Sequence, residues 1–204
     1  MNTEELAERI RERGAHFNVR VSKVVANGCA EYLSLLSRWS HRINLTALTL
    51  VEPIPSATID KLVIEPLVAV PFIPDDPSYW LDIGSGGGSP ALPLRLCMPR
   101  GALAMVEARE RKCAFLREAV RILELRNTTV IASRFEALAE TTPVDLVTSR
   151  AVKLDEALVK RVTSWVRPGG VLMLFGAALT ASGFAQFAAT ELPDGSALRL
   201  YSRC

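Results

Sequence analysis

The chain of 204 residues lacks any apolar run long enough to span a bilayer. Val171 to Phe175 is strand-length and stops at Gly176, which excludes a membrane-spanning segment there. The start is charged from Glu4 onward and has no apolar signal-peptide core, so the cytosol is the expected compartment. Cysteine is scarce: Cys29, Cys97, Cys113 and Cys204 form no CxxC pair and have no histidine at metal spacing. Reduced, buried or incidental thiols are expected, and no metal. Charge of one sign is also missing. A net charge of +2 carries no electrostatic signature of nucleic-acid binding. There is no internal repeat and no low-complexity tract.

What is present is 49% apolar residues, enough for one α/β core with a modest extension. Residues 1–70 read as a helical extension. A charged helix is predicted from Thr3 to Arg13, closed by Gly14. A second runs from about Val21 to Trp39, with Val21, Val24, Val25, Tyr32, Leu35, Leu36 and Trp39 on one stripe. The stripe predicts a packing face. A third, near Ala57 to Val70, is capped by Ser56 and disturbed by Pro66. Pro71, Pro74 and Pro77 with Asp75 and Asp76 then mark a linker into a second unit, residues 71–204.

In that unit strands and helices alternate, which predicts a mostly parallel sheet covered on both faces. Strands are expected at Tyr79–Ile83, Ala102–Glu107, Thr128–Ala132, Val144–Thr148, Val171–Phe175 and Ala197–Tyr201. Helices are expected at Pro90–Cys97, Arg109–Glu124, Leu154–Val166 and Ala181–Thr190. Arg167-Pro168-Gly169-Gly170 reads as a sharp turn into the fifth strand.

The organising stretch is Trp80-Leu81-Asp82-Ile83-Gly84-Ser85-Gly86-Gly87-Gly88-Ser89-Pro90. Glycines at 84, 86 and 88 permit positive φ and close approach of backbone to a ligand. The helix start behind them offers unpaired N–H groups to a carboxylate or phosphate. Glu107, about twenty residues on at the end of the next strand, is placed to accept from ribose hydroxyls. A dinucleotide fingerprint wants a glycine where this chain has Ser89, which disfavours a nicotinamide oxidoreductase. Asp82 with the three alternating glycines instead resembles the first motif of S-adenosylmethionine-dependent methyltransferases. Ligands of such sheets sit at the carboxyl ends of strands. Those ends carry Asp82 with its loop, Glu107, Ser133 to Glu136, and Thr148-Ser149-Arg150. The basic, aromatic turn Arg38 to Thr46 suits either docking of the extension or contact with RNA.

Across residues 30 to 176 the chain resembles one family, RsmG (also called GidB), the bacterial small-subunit ribosomal RNA guanine-N7 methyltransferases. Trp39 to Thr46, WSHRINLT, resembles the family's W-N-x-x-x-N-L-T segment. LDIGSGGGSPALPL resembles its glycine loop, and Val106-Glu107 with Arg111-Lys112 and Phe115-Leu116 resembles V-E-x-x-x-K-K-x-x-F-L. Ser133-Arg134-Phe135-Glu136 and Thr148-Ser149-Arg150-Ala151 resemble the R-x-E-E and S-R-A segments. The resemblance implies a class I methyltransferase, a Rossmann-like α/β fold, with S-adenosylmethionine as cofactor. Asp82, Gly84, Ser85, Gly86, Gly88 and Ser89 would line its methionine side, Glu107 its ribose, and Phe135 and Glu136 its adenine. Arg150 would lie at the methyl-transfer centre, contacting cofactor or substrate; its structural alternative is an ion pair with Glu136 or Asp82. Asn44 and Lys112 would join Arg150 in holding the substrate, small-subunit ribosomal RNA or the 30S particle, and the protein would act as a monomer.

The departures fall on the substrate side. The family's R-H-x-x-D-S stretch is Lys61-Leu62-Val63-Ile64-Glu65-Pro66 here. Ser40 replaces an asparagine, Phe175 stands where a lysine is usual, and one strand is predicted after the fifth where the fold has two. These changes leave two alternatives beside the rRNA enzyme: a diverged methyltransferase acting on another RNA, a protein or a small molecule, and a non-catalytic module that binds S-adenosylmethionine.

Overall fold

The computed structural model describes residues 2–73, 77–139, 142–150, 152, 155–179 and 183–204. A seven-stranded sheet runs through it: β1 (Tyr79–Ile83), β2 (Ala102–Glu107), β3 (Thr128–Ala132), β4 (Val144–Arg150), β5 (Val166–Phe175), β6 (Phe184–Glu191) and β7 (Ala197–Arg203). Their order is β3-β2-β1-β4-β5-β7-β6. Strands β1 to β5 pair in parallel, while β7 runs antiparallel to both its neighbours. The order reverses between β1 and β4, the switch point where such sheets hold ligands.

The period-two alternation of each strand feeds two cores. Trp80, Leu103, Met105, Leu146, Met173, Phe175, Leu198 and Leu200 share one cluster with Ala30, Leu33 and Leu36, Leu92 and Leu94, and Phe115 and Leu116. Those partners come from α2 (Lys23–Ser40), α5 (Ala91–Cys97) and α6 (Glu110–Ile122). Leu81, Ile83, Val106, Val147, Leu172, Leu174 and Tyr201 meet Leu158, Val162 and Trp165 of α7 (Glu156–Trp165) on the other side. Side-chain caps fix three helix starts: Asn2 for α1 (Thr3–His16), Ser22 for α2 and Asp155 for α7, each accepting from a first-turn N–H.

Several elements differ from the sequence reading. Helix α1 runs through Gly14 to His16. A Cβ at Gly14 would meet Val21 Cγ2 at 2.5 Å, so this glycine permits close packing where a stop was expected. The third helix is broken into α3 (Ser56–Ile59), a π turn (Asp60–Ile64), α4 (Glu65–Val68) and a 3-10 turn (Val70–Phe72). In the π turn Glu65 N–H donates to the Asp60 carbonyl five residues back, and Pro66, which has no N–H, follows at once. Residues Arg167 to Gly170 belong to β5, whose pairing with β4 shifts register between Val144 and Leu146. Residues 184–190, expected as helix, lie in β6 (Phe184–Glu191); the start of that expected helix lies outside the described residues. The alanine-rich run has no strong period of its own, and a hairpin to β7 decides it, with Leu192 N–H donating to Ser196 O at 2.8 Å. Two strands therefore follow β5, not one. Of the proline linker, Pro74, Asp75 and Asp76 lie outside the described residues. No described helix is long and apolar enough to cross a membrane.

Candidate functional site

The glycine loop leaves β1 at the switch point and is tied down from three directions. Glu107, at the end of β2, accepts from Gly86 N–H at 2.9 Å through Oε2 and from Arg109 N–H at 2.8 Å through Oε1. Gly84 and Ser85 N–H donate to the Val106 carbonyl. From the extension, the Tyr32 hydroxyl donates to Gly87 O at 2.8 Å. Gly84 has φ +72° and Gly86 φ +54°, a region that side-chain-bearing residues avoid. A Cβ on Gly84 would lie 2.5 Å from Val152 Cγ2, whereas one on Gly86 would make ordinary contacts, 3.6 Å from Gly84 O and 3.9 Å from Lys112 Nζ. The Gly84→Ala variant combines strain with a clash, and we expect at least a tenfold loss of cofactor affinity by calorimetry. An unchanged affinity would show that the loop adapts.

Asp82 lies beneath this loop, 1% exposed. Its Oδ1 accepts from the Thr148 hydroxyl at 2.5 Å, and that hydroxyl oxygen accepts from Trp80 Nε1–H at 3.0 Å. Oδ2 is buried and unpartnered among the described residues. Burial pushes the Asp82 carboxyl up to about 6, against the hydrogen bond from the Thr148 hydroxyl. A folded-state pKa above the unfolded value of about 3.9 contributes stability in full below pH 4. That contribution is lost as pH rises through 6, and amounts to about 3 kcal/mol. In the cofactor-free protein, urea unfolding of Asp82→Asn should show a flatter stability profile between pH 4 and 7. A profile parallel to wild type would remove Asp82 as its source.

Two adjoining cavities open at this edge. One, about 400 Å³, is lined by Gly84 to Gly87, Ser89, Leu45, Thr46, Leu62, Lys112, Arg150 and Val152. The other, about 220 Å³, is lined by Ile83, Val106, Ala108, Ser133 to Glu136 and Leu158. Gly84, Glu107 and Val152 border both, so Glu107 stands at their junction. Phe135 is 4% exposed, packed against Trp165 with ring centroids 5.5 Å apart, while Glu136 is exposed at the rim. Asp82 and Gly88 lie behind the loop instead of lining it. Gly88 packs on Leu92 and Tyr32, and the Ser89 hydroxyl donates to Leu62 O at 2.9 Å. Asn44 is exposed and borders neither cavity; Leu45 and Thr46 of the same turn do.

Arg150 ends β4 with its side chain only 12% exposed. Its partner is Glu65, at 3.1 Å, and neither Asp82 nor Glu136. Arg150 Nη1 also donates to Lys61 O and lies 3.4 Å from Ser89 Oγ, and the guanidinium sits 4.8 Å above the Phe175 ring. Lys61 Nζ lies 3.1 Å from Glu65 and bonds Asp194 in the β6–β7 turn. Burial raises the Glu65 pKa against the opposing pull of Arg150 and Lys61, and burial lowers that of Arg150. Glu65 and Tyr32 were missed as site residues. Their partners lie 85 and 55 positions away in the sequence, and only the π turn beside Pro66 hints that residue 65 points inward.

Among the described residues no group of three His, Cys, Asp or Glu side chains could hold a metal ion. The donor set suits an organic cofactor with an amino acid at one end and a nucleoside at the other. A Cβ at Gly86 would meet only ordinary contacts, and Glu107 stands between an amphipathic cavity and one walled by Phe135.

A sequence model of the GidB family, described as rRNA small subunit methyltransferase G, matches residues 26–191. A Ribosomal RNA small subunit methyltransferase G from Xanthomonas oryzae pv. oryzae is 37% identical over 142 residues, covering 70% of this chain and 64% of that protein. Its namesake from Pseudomonas entomophila is 31% identical over 166 residues, 81% of this chain and 71% of that protein. The match thus spans somewhat under two thirds of the Xanthomonas protein's length. Among solved structures, an rRNA methylase from Streptococcus thermophilus superposes with a TM-score of 0.50 at 13% identity, over 66% of this chain and 92% of that one. The strand order and this likeness establish the class I methyltransferase fold.

Proposed function

Because the chain belongs to the GidB family of rRNA small subunit methyltransferases, we propose that it transfers a methyl group from S-adenosylmethionine to N7 of a guanine in small-subunit ribosomal RNA. The observation that carries this reading is Glu107 standing between two cavities, one under the glycine loop and one walled by Phe135. When bound, the cofactor supplies an electrophilic methyl group on a sulfonium. Gly84 to Gly86 would hold its amino-acid end, Glu107 its ribose, and Phe135 and Glu136 its adenine. We take residues 1–70 as the extension and 71–204 as the methyltransferase unit.

Guanine N7 carries an in-plane lone pair, so methylation needs no proton removal and no general base. The residues therefore act by position and charge. Holding N7 in line with the methyl is worth roughly 7–11 kcal/mol in well-oriented systems. Arg150, held by Glu65 at the cavity edge, is the group proposed to face O6 of the guanine or an adjacent phosphate, which leaves the N7 lone pair free to attack. Lys112, at the loop, is proposed to hold substrate phosphate.

The test is methyl transfer from labelled S-adenosylmethionine to small ribosomal subunits lacking this modification, mapped by cleavage at N7-methylguanosine. Label at one guanine is the expected result. Cofactor binding with no label in particles or deproteinised RNA would overturn the substrate assignment. The changes at Lys61 to Pro66 and at Phe175 motivate a second reading, a methyltransferase of the same fold with another acceptor. Label in such an acceptor, with none in ribosomal RNA, would favour it.

A further inference from the structure

A third cavity, about 440 Å³, lies between the end of α2 and the outer face of α6. Its apolar lining is Leu35, Ile43 and Ile122, and Trp39 supplies an aromatic wall. The indole is braced edge-on against Phe115, with ring centroids 5.9 Å apart and planes at 67°. Arg38 and Arg42, four residues apart and both exposed, stand at the rim. The lining has one carboxylate, Glu118, and both its oxygens are engaged by Arg121, at 2.8 and 2.9 Å. The cavity thus pairs a flat apolar interior with a cationic rim, which suits an occupant with a planar aromatic part and a negative charge.

Its place relative to the methyl-transfer site narrows the occupant. Ile43 lines this cavity, while Leu45 and Thr46 line the cavity under the glycine loop. Ile43 is two residues before Leu45 and three before Thr46, a span of at most about 11 Å. A single strand with one base at the loop would bring an adjacent nucleotide to Trp39. Base–aromatic stacking with arginine on the phosphate is how single strands are held without regard to sequence.

We propose that the Trp39 cavity binds the base of an unpaired nucleotide neighbouring the methylated one, with Arg38 and Arg42 on its phosphate. The site rests on the RNA methyltransferase reading given above. It fixes the register of the strand and takes no part in methyl transfer, so its loss raises KM for RNA and leaves kcat in place.

The experiment compares the full chain with three variants: Arg38→Glu/Arg42→Glu, Trp39→Leu and Trp39→Phe. Unmethylated small ribosomal subunits are the substrate, and cofactor affinity is measured in parallel. The charge variant should raise KM for the particle about tenfold or more, with kcat within about twofold and cofactor affinity unchanged. Trp39→Leu should shift KM in the same direction, while Trp39→Phe, which keeps a stacking face and the packing against Phe115, stays near wild type. An unchanged KM in the charge variant, or equal effects of leucine and phenylalanine, would overturn the site. If wild type methylates no RNA, the methyltransferase reading itself fails, and a fluorescein-labelled single-stranded oligoribonucleotide then decides the cavity by binding. Tenfold weaker binding by the charge variant keeps a nucleotide site, and equal binding removes it.

Discussion

Glu107→Gln should weaken binding of S-adenosylmethionine about 100-fold or more, with the protein still folded. A carboxylate offers about four lone-pair positions. Two are taken by Gly86 and Arg109 N–H, one on each oxygen. Glu107 borders both cavities, and two acceptor positions are left for a vicinal pair of ribose hydroxyls in the proposed complex. Glutamine keeps the size but turns one oxygen into a donor. Whichever way the amide is set, it opposes one of the two backbone N–H groups and loses acceptors for the ribose. Hydrogen bonds to a charged group contribute about 1.5–3 kcal/mol each, so losing one or two gives this scale. Calorimetric titration with cofactor is the check. A dissociation constant within threefold of wild type would show that the ribose is held elsewhere.

A second large effect is expected at Glu65. The pair Glu65–Arg150 is withdrawn from water, with side-chain exposures of 0% and 12%. Cutting one partner leaves the other charge buried and uncompensated, at a cost of about 3–5 kcal/mol. For Glu65→Leu this predicts a melting temperature lower by about 10 °C. The double variant Glu65→Leu/Arg150→Leu should recover much of that stability, because two buried charges disappear together. The proposed methyl transfer should stay lost, since Arg150 is then absent from the cavity edge. Thermal unfolding of the three proteins separates the outcomes. If Glu65→Leu melts within 2 °C of wild type, Arg150 has found another acceptor or water.

Strands β1, β2 and β3 begin and end where the sequence places them. Each is an apolar, β-branched or aromatic run closed by turn residues; β1 and β2 are buried parallel strands, and β3, half-exposed at the sheet edge, carries the same signal in Thr128 to Ile131. Residues 184–191 lacked it. Alanine and glutamine there fit helix or strand, and pairing with β7 settled the choice. The site divides in the same way. The glycine loop, Glu107 and Phe135 announce themselves within short segments, because their chemistry depends on neighbours in sequence. Glu65, Tyr32 and Asp194 act through partners far along the chain, and no local pattern encodes them. The departures from the family pattern were visible singly but not as a group. Lys61 through its carbonyl, Glu65 through its carboxylate and Phe175 through its ring all meet at Arg150. Changes that look scattered over more than 100 positions are one rearranged environment around one guanidinium.

The hydrogen bond from Tyr32 to Gly87 has a consequence for how the molecule reports its own state. Tyr32 is fully buried in the middle of α2, and the Leu45 carbonyl presses on the loop from the following turn, 2.9 Å from where a Gly87 Cβ would stand. A ligand that steadies Gly84 to Gly88 therefore steadies a helix that meets the cavity through Leu36 and the loop through Tyr32. Slowed amide exchange along residues 26–36 would register occupancy of the loop from the neighbouring helix, with no label on the ligand.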